Sequence, residues 1–392
     1  MESLWKLAKS IEAARFDAED TPQLMRCSST SKEQSYRIDG VPIPVTKASL
    51  PNGHVIPLLK AMLTTACERN CHYCAFRAGR DTRRFSFSPD ELASTFMQFY
   101  RLGIAKGLFL STGILNGGIR AEDRLLDTIA ILRRKHRFQG YIHIKIMPGA
   151  EKDQVYEAML LADRVSVNLE APGPEYLQKI APRKDFQREL IQPILWMDEI
   201  RKTRSPQRAW KQRWPSSTTQ FVVGPAGETD VDLLQLSASL FQTYHFSRTY
   251  FMAFTPIEGT PLETHPAEDP RRQQRLYQAS FLLRDYGYHF EELPFLASGK
   301  LPIHEDPKIA AARTTLKDAP VGVNTADREC LLRVPGIGPR SAERILQERR
   351  RARIRDVSHL YKLGVSIQRA APYIHFNGTR PSYQMALPGF GR

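Results

Sequence analysis

The sequence predicts an α/β fold, in which a partial barrel of six β/α units precedes a small all-helical domain. From Leu58 onward, short runs of β-branched and aromatic residues alternate with longer amphipathic stretches, as in parallel strands joined by helices. Beyond about residue 320 the strand-like runs end, and two short helical stretches flank a Gly-Ile-Gly turn. With 392 residues, of which 42% are hydrophobic, the chain is long enough for one large domain and a smaller one.

Each of the six predicted strands is followed by a predicted helix. The strands lie near residues 59–65, 107–112, 141–147, 164–170, 218–223 and 249–255. The helices lie near residues 89–101, 121–135, 151–162, 186–201, 231–243 and 271–286. In such a barrel the functional side chains lie at the carboxyl ends of the strands. We therefore divide the chain into an N-terminal extension (1–57), the barrel (58–305), a linker (306–320) and the helical domain (321–392).

Three of the five cysteines lie in one short segment after the first strand. Cys67, Cys71 and Cys74 have the spacing Cys-x3-Cys-x2-Cys, which favours a metal site. Three thiolates do not complete a tetrahedral zinc site, and they leave one iron of a cubane 4Fe-4S cluster without a protein ligand. The alternative is a zinc knuckle completed by Cys27 or by a histidine such as His72.

This segment resembles the signature of the radical S-adenosylmethionine (SAM) superfamily, which has an aromatic residue just before the third cysteine, here Tyr73. The resemblance implies that the cofactors are a 4Fe-4S cluster and SAM, and that the open iron binds the amino and carboxylate groups of SAM. Reductive cleavage would then yield a 5'-deoxyadenosyl radical that abstracts hydrogen from a substrate. The resemblance also implies that Tyr73 lies against the adenine.

Alternating residues in two strands predict which polar side chains point into the barrel. In the third strand the isoleucines share one face, and His143 and Lys145 share the other. Such an arrangement is favourable in a polar or ligand-filled lumen, so both residues are candidate catalytic groups, unless the strand lies at a solvated edge. In the fourth strand Asn168 and Glu170 point inward, and the resemblance implies that they contact the ribose or the amino acid part of SAM.

Two glycine-containing strand ends complete the predicted cofactor site. By resemblance, the second strand carries the methionine-binding segment of the superfamily, often Gly-Gly-Glu, which here reads Ser111-Thr112-Gly113. Because the acid is missing, we expect the backbone and hydroxyls of Ser111 and Thr112 to hold the amino group of SAM. The fifth strand ends at Gly224, which resembles the adenine-side segment, since glycine lets the backbone approach a flat ligand closely.

A basic segment separates the fourth helix from the fifth strand. Residues 201–215 contain six Lys and Arg together with Trp210 and Trp214. Cations can neutralise phosphates and exposed aromatic rings can stack on unpaired bases, which predicts a nucleic-acid contact. The alternative is a solvated loop whose tryptophans pack on the barrel.

The helical domain resembles the helix-hairpin-helix module of DNA repair and recombination proteins. Its turn reads Gly336-Ile337-Gly338, and Arg340 and Ser341 begin the next helix. The resemblance implies that backbone N–H groups of the turn and of this helix bind a DNA phosphate, beside Arg340 and Ser341. Residues 321–392 contain thirteen Lys and Arg against five Asp and Glu, a net charge of +8. The alternative is a packing or protein-docking module.

The order of the two domains resembles a family of radical SAM proteins connected with DNA modification or repair. That resemblance implies a role near base repair and a uracil-DNA-glycosylase-like protein as a partner. Our leading interpretation is an enzyme that abstracts hydrogen from a base or sugar of DNA, or less directly of RNA. An electron donor such as a reductase, flavodoxin or ferredoxin is also implied. The net charge of +14 is consistent with a polyanionic partner.

Two other functions fit the same motifs. One is a radical SAM enzyme that acts on a small molecule or a protein and uses the helix-hairpin-helix for docking. The other is a DNA-binding protein whose metal is structural. The sequence has no membrane-length apolar run, and its first twenty residues lack the apolar core of a signal peptide, so we expect a cytoplasmic protein without membrane contact.

Overall fold

The computed structural model describes Lys6 and residues 34–38, 41–49 and 55–382. The described residues form two compact units. The first, called the barrel unit here, contains the described residues up to Glu228 together with Ser239–Gln273. The second, called the C-terminal unit, contains Thr229–Ala238 together with the described residues from Gln274 onward. Cys27 lies outside the described residues.

The barrel unit is built on one curled sheet of eight strands, whose spatial order follows the chain. The strands are β1 (Gln34–Ile38), β2 (Val41–Ser49), β3 (Val55–Met62), β4 (Gly107–Ser111), β5 (Tyr141–Lys145), β6 (Arg164–Ser166), β7 (Ser216–Val223) and β8 (Arg248–Ala253). Strands β3 to β8 are parallel, and β1 and β2 are antiparallel additions at one edge. The six predicted parallel strands are therefore confirmed, whereas the two edge strands were not predicted.

Helices connect these strands. They are α1 (Pro89–Arg101), α2 (Gly118–Ala130), α3 (Lys152–Leu161), α4 (Pro174–Ile180), α5 (Gln192–Thr203), α6 (Asp230–Gln242) and α7 (Pro270–Asp285). π-Helical turns at Ile131–Lys135 and Phe186–Ile191 extend α2 and precede α5. When the π-helical turns are counted with the helices that they adjoin, the six predicted helices agree with the observed bounds within about three residues. Helix α4 was not predicted. A helix of seven residues is too short to show a clear apolar period.

The two faces of the parallel strands are buried in different ways. The outward residues Leu108, Ile142 and Val165 are fully buried, as the predicted apolar face requires. On the inward face, a cluster around Phe109 and Tyr141 fills the amino-terminal end of the barrel. The carboxyl ends of the strands are therefore the end of the barrel at which a cavity can form.

The C-terminal unit is mainly helical. Its further elements are α8 (Pro307–Thr315), α9 (Arg328–Arg333), α10 (Pro339–Glu348), α11 (Val357–Lys362), α12 (Ile367–Ala370), and the parallel pair β9 (Val321–Gly322) and β10 (Ile374–His375). The prediction of an all-helical domain is corrected by this strand pair. Residues 306–320, predicted as a linker, contain α8, which begins where Asp306 caps the backbone N–H of Lys308.

Among the described residues, no helix has both the length and the apolar character needed to cross a membrane.

Candidate active site

A cavity of about 440 Å³ lies at the carboxyl ends of the parallel strands. Its wall brings together ten residues that were predicted from separate parts of the sequence. These are Cys67, Cys71, Tyr73, Cys74, Ser111, Thr112, Gly113, Lys145, Asn168 and Glu170. A concave site lined by thiols and polar groups at this end of the strands is where a barrel of this type binds its ligands.

The loop that carries the cysteines is held by backbone hydrogen bonds to the residues that follow β4. The N–H of Gly113 donates to the Thr64 carbonyl at 2.7 Å, and the N–H of Glu68 donates to the Ile114 carbonyl at 2.7 Å. A Cβ atom at position 113 would lie 2.2 Å from the Ala66 carbonyl oxygen. Only glycine at position 113 therefore allows the segment after β4 and the cysteine loop to approach this closely.

Arg84 holds the far side of the same loop. Its guanidinium donates to the carbonyls of Thr65 at 2.8 Å, Phe76 at 3.0 Å and Arg77 at 2.9 Å. These carbonyls flank the three cysteines on both sides. One side chain therefore satisfies backbone acceptors that the irregular loop would otherwise leave unpaired.

Burial disfavours the free thiolate at two of the three cysteines. Burial raises the pKa of Cys71, and burial raises the pKa of Cys74 to about 12. Thiols in this environment remain protonated until a metal displaces the proton, since a metal-bound thiolate loses its proton outright. Three thiols that line one cavity fit a 4Fe-4S cluster with one open iron.

The zinc alternative finds less support among the described residues. His72 does not line the cavity, and its Nδ1 atom lies 2.9 Å from the Lys179 carbonyl oxygen. Within the ranges that the structure describes, no three His, Cys, Asp or Glu side chains converge on a position for a single metal ion. A cubane cluster differs from such a site because it presents a separate iron to each thiolate.

Glu170 forms a buried ion pair with Lys184, a residue that sequence reasoning missed. The Nζ atom of Lys184 is 2.9 Å from Oε1 of Glu170 and 3.5 Å from the hydroxyl of Tyr73. Burial alone would lower the pKa of Lys184, but the adjacent Glu170 carboxylate and cysteines raise it above its usual value. The pair presents one anion and one cation, as the amino and carboxylate groups of an amino acid require.

The backbone of Glu170 is held in an unusual conformation. Its φ of 65° lies in the left-handed region, which non-glycine residues rarely adopt. The N–H of Glu170 donates to the Gln220 carbonyl at 2.9 Å, and its own carbonyl accepts from the N–H of Val222 at 2.8 Å. Strand β7 therefore maintains a strained residue whose side chain lines the cavity, which is common at functional sites.

The two predicted catalytic candidates lie at different depths. Lys145 lines the cavity, whereas His143 does not and is only 1% exposed. The His143 ring contacts Phe109, with centroids 4.9 Å apart. Burial, followed by the charges of Arg164 and Lys145, lowers the pKa of His143 well below its usual value, so the imidazole is neutral.

Gly224 is not one of the residues that line the cavity. Its φ is 112°, and a Cβ atom there would lie 2.7 Å from Oε2 of Glu268. The N–H of Gly224 donates to Oε1 of Glu228 at 2.5 Å, and Arg272 pairs with Glu268 at 2.7 Å. The glycine therefore serves the turn after β7, and its contact with adenine stays a prediction.

The tryptophans of residues 201–215 pack on the barrel unit. Trp210 lies over the guanidinium of Arg133, with Cζ 3.8 Å from the ring centroid, and Arg133 is paired with Asp163 at 2.9 Å. The Trp214 ring is 6.3 Å from the ring of Tyr156. This favours the alternative of packed tryptophans over a stacking surface for unpaired bases.

In the C-terminal unit, the residues of the turn between α9 and α10 have different structural roles. Gly336 has φ of 86°, and a Cβ atom there would lie 2.4 Å from the Ser366 carbonyl oxygen. Gly338 has φ of −102° and would meet only the hydroxyl of Tyr286 at 3.5 Å. Ile337 is a core residue with 1% exposure, and the Ser341 hydroxyl donates to the Gly364 carbonyl at 2.8 Å.

Of the predicted DNA-contacting residues, Arg340 is the one with an exposed side chain. The other four contribute backbone, packing or an internal hydrogen bond. Lys308 also contacts this turn, since its Nζ atom donates to the Ile337 carbonyl at 2.6 Å. Burial lowers the pKa of Lys308 to about 7.

A comparison with protein families matches the segment that supplies most of the cavity wall. Residues 62–238 match the radical SAM superfamily, and this segment contains all three cysteines, Glu170 and Lys184. Among curated proteins, no sequence matches the chain significantly.

Several solved structures are similar to this chain at low sequence identity, and three of them are described here. Methylornithine synthase (PylB) is 16% identical, with a TM-score of 0.45, over 58% of this chain and 61% of that protein. The [FeFe]-hydrogenase maturase HydG is 12% identical, with a TM-score of 0.45, over 58% of this chain and 49% of HydG. HydG from Carboxydothermus hydrogenoformans is 13% identical, with a TM-score of 0.45, over 58% and 51% of the two chains. The chain thus spans less than two thirds of the length of each, and these likenesses do not extend to a reaction.

The matched residues carry a radical SAM domain. Radical SAM domains belong to enzymes whose cofactors are a 4Fe-4S cluster and SAM.

Proposed function

We propose that this enzyme forms a 5'-deoxyadenosyl radical and uses it to modify or repair DNA. The radical part is supported by three thiols, Cys67, Cys71 and Cys74, that share one cavity with the Glu170–Lys184 pair. The DNA part is supported by the net charge of +8 in residues 321–392. Phosphate recognition by clustered cations requires such a concentration of charge.

The chain's own residues have separate tasks in this proposal. The three cysteines would ligate the cluster, and Glu170 and Lys184 would form hydrogen bonds with the amino and carboxylate groups of SAM. Ser111 and Thr112, at the end of β4, would add hydroxyl and backbone contacts. When bound, the cluster and SAM supply the radical that abstracts hydrogen. Apolar lining residues such as Met62, Met147 and Phe254 would limit the contact of a reactive species with water.

Exposed arginines of the C-terminal unit supply the proposed DNA contacts. Arg340 and Arg344 lie on α10, and Arg350, Arg351, Arg353 and Arg355 follow its end; all six are exposed. The first-turn N–H groups of α10 lack intrahelical partners and can bind a phosphate oxygen. Such contacts position DNA without reading its sequence.

A second candidate function is a radical SAM enzyme for a small molecule or a protein, with the C-terminal unit used for docking. The cavity volume of about 440 Å³ favours it, since small-molecule sites measure about 300–1,000 Å³. A DNA-binding protein with a purely structural metal would leave the Glu170–Lys184 pair without a role. Proposed partners are an electron donor and a uracil-DNA-glycosylase-like protein, and the proposed location is the cytoplasm.

DNA affinity as a function of salt tests the choice between the two functions. If the exposed arginines bind phosphates, log K should fall by about 0.9 for each phosphate contacted per log unit of salt. Replacing Arg350, Arg351, Arg353 and Arg355 by Gln should reduce this slope by about three or four. An affinity independent of salt, or a slope unchanged in the variant, would favour the docking function.

A further inference from the structure

We propose that Lys184 and Glu170 set the reduction potential of the 4Fe-4S cluster in opposite directions, and that Lys184 has the larger effect. This role goes beyond the contacts with SAM proposed above, because it operates before SAM binds. It rests on the part of the proposed function in which the three cysteines ligate the cluster, and it does not depend on DNA.

The segment that carries Lys184 is hydrogen bonded to the cysteine loop. The N–H of His72, the residue after Cys71, donates to the Ile180 carbonyl at 2.7 Å. The Nδ1 atom of the same histidine lies 2.9 Å from the Lys179 carbonyl oxygen. The two segments are therefore joined directly beside a cysteine.

Two arginines make further contacts between the same segments. The guanidinium of Arg183 donates to the carbonyl of Glu68, the residue after Cys67, at 3.2 Å. In the other direction, the guanidinium of Arg69 donates to the Arg183 carbonyl. Because Lys184 follows Arg183 directly, these contacts limit its movement relative to the thiols.

The ammonium of Lys184 is buried in the cavity that the cysteines line. Its Nζ atom is 3.5 Å from the hydroxyl of Tyr73, the residue before Cys74, and 2.9 Å from Oε1 of Glu170. The side chain of Lys184 is only 9% exposed. Water and salt screen such a buried charge weakly, so its field reaches the thiols that line the same cavity.

The two charges of the pair act on the cysteines with opposite signs. Burial has the largest effect and raises the pKa of Cys71, whereas Lys184 lowers this pKa and Glu170 raises it to a smaller extent than Lys184 lowers it. Lys184 also lowers the pKa of Cys74, against the larger raising effect of burial. The cation of the pair therefore has the stronger influence at the sulfur of Cys71, where the cluster would be ligated.

Reduction of the cluster adds negative charge at this place. One electron from a donor of low potential converts the [4Fe-4S]2+ form to the [4Fe-4S]1+ form, and no bond is made or broken. A nearby cation stabilises the reduced form and a nearby anion destabilises it, and the charge around a cluster is one of the factors that set its potential. Lys184 should therefore raise the potential, and Glu170 should lower it.

A redox titration of the full-length protein, loaded with the cluster but without SAM or DNA, tests these signs. Glu170→Gln removes the anion and should raise the equilibrium constant for reduction about tenfold, which is about 59 mV for one electron. Lys184→Met removes the cation and should lower this constant about thirtyfold. The double variant should lie about threefold below the wild type. The electron paramagnetic resonance signal of the reduced cluster reports each titration.

Two further variants are the controls. Lys184→Arg keeps the cation and should retain most of the wild-type potential. Lys152→Met is the matched control for the loss of a cation, because Lys152 is exposed and paired with Glu199, and solvent screens its charge. Iron and sulfide content and thermal unfolding show whether each variant is folded and carries a cluster. If Lys184→Met does not fold, the double variant still decides, since it buries no unpaired charge.

The outcomes are distinguishable. If the wild type assembles no cluster, both the proposed cluster ligation and the tuning role fail. If Glu170→Gln and Lys184→Met shift the potential in the same direction, or not at all, the charges of the pair do not set it, and the proposed function stands. A common direction is what a change in solvent exposure alone would produce. A double variant above the wild type would assign the larger effect to Glu170 and contradict the role of Lys184.

Discussion

The ammonium nitrogen of Lys184 lies 2.9 Å from Oε1 of Glu170, and the two side chains are 9% and 5% exposed. The pair joins the loop after α4 to the end of β6 and forms part of the cavity wall. A buried charge that loses its partner is strongly destabilising, so each residue depends on the other.

Replacing Lys184 by Met should lower the free energy of unfolding by about 3–5 kcal/mol, because Glu170 then remains buried without a counterion. Adding Glu170→Gln should recover much of the loss. Denaturant unfolding of the wild type, the single variant and the double variant measures this. Equal stability of all three proteins would show that the pair is not coupled.

The same pair should be insensitive to pH near neutrality. Because the pKa of Lys184 is raised above its usual 10.5, its stabilising effect is fully present below that value and is lost only as pH rises further. The stability difference between wild type and the double variant Lys184→Met/Glu170→Gln, which lacks both charges, should therefore stay constant between about pH 6 and pH 9.

Anaerobic reconstitution should yield about four irons and four sulfides per chain. Cys67→Ala, Cys71→Ala and Cys74→Ala should each lose most of this content, because each removes one of three protein ligands. Cys330→Ala is the matched control, since Cys330 is exposed on α9 of the C-terminal unit. Iron and sulfide assays decide the question, and zinc without sulfide would contradict the cluster.

The two glycines of the C-terminal turn should differ in tolerance. Gly336→Val should destabilise the unit by about 2 kcal/mol or more. Its Cβ would clash with the Ser366 carbonyl, and its positive φ would add backbone strain. Gly338→Ala should change stability by about 0.5 kcal/mol or less, since its φ is ordinary and its nearest neighbour is 3.5 Å away. Thermal unfolding and DNA affinity report both effects, and equal losses for the two variants would contradict the described turn.

Lys308 should make stability depend on pH. Its pKa is lowered from 10.5 to about 7, so the unfolded chain holds one more proton between these values, and stability should rise as pH increases above 7. The slope should be at most about 1.4 kcal/mol per pH unit. Lys308→Met should remove this rise, whereas Lys317→Met, at an exposed position, should not. A rise that persists in Lys308→Met would assign it to other groups.

Local sequence patterns predicted much of the fold and part of the site. Alternation along single strands gave the inward face of Glu170 and Lys145, and the cysteine spacing is itself a local feature. Alternation shows which face of a strand a side chain lies on, but not how far along the barrel axis it lies. It therefore grouped His143 with Lys145, although only Lys145 lines the cavity.

Local sequence patterns could not predict contacts between residues that are far apart in the sequence. A buried acid such as Glu170 implies a cation partner, but the sequence offered Lys179, Arg183 and Lys184 in the loop and helix that follow, without a means to choose. The role of Gly224 likewise depends on Glu268, which lies forty-four residues further along the chain. In the region predicted as a linker, Asp306-Pro307 is a helix start signal, and α8 begins there.

The most direct test of the proposed function follows hydrogen from DNA into the cofactor. The anaerobic protein, with reduced cluster and SAM, is incubated with deuterated single-stranded and duplex DNA, and the 5'-deoxyadenosine formed is analysed by mass spectrometry. We predict 5'-deoxyadenosine that carries deuterium from the DNA, and its absence in the Cys71→Ala protein. Formation of 5'-deoxyadenosine without deuterium from any position of the DNA would contradict a DNA substrate.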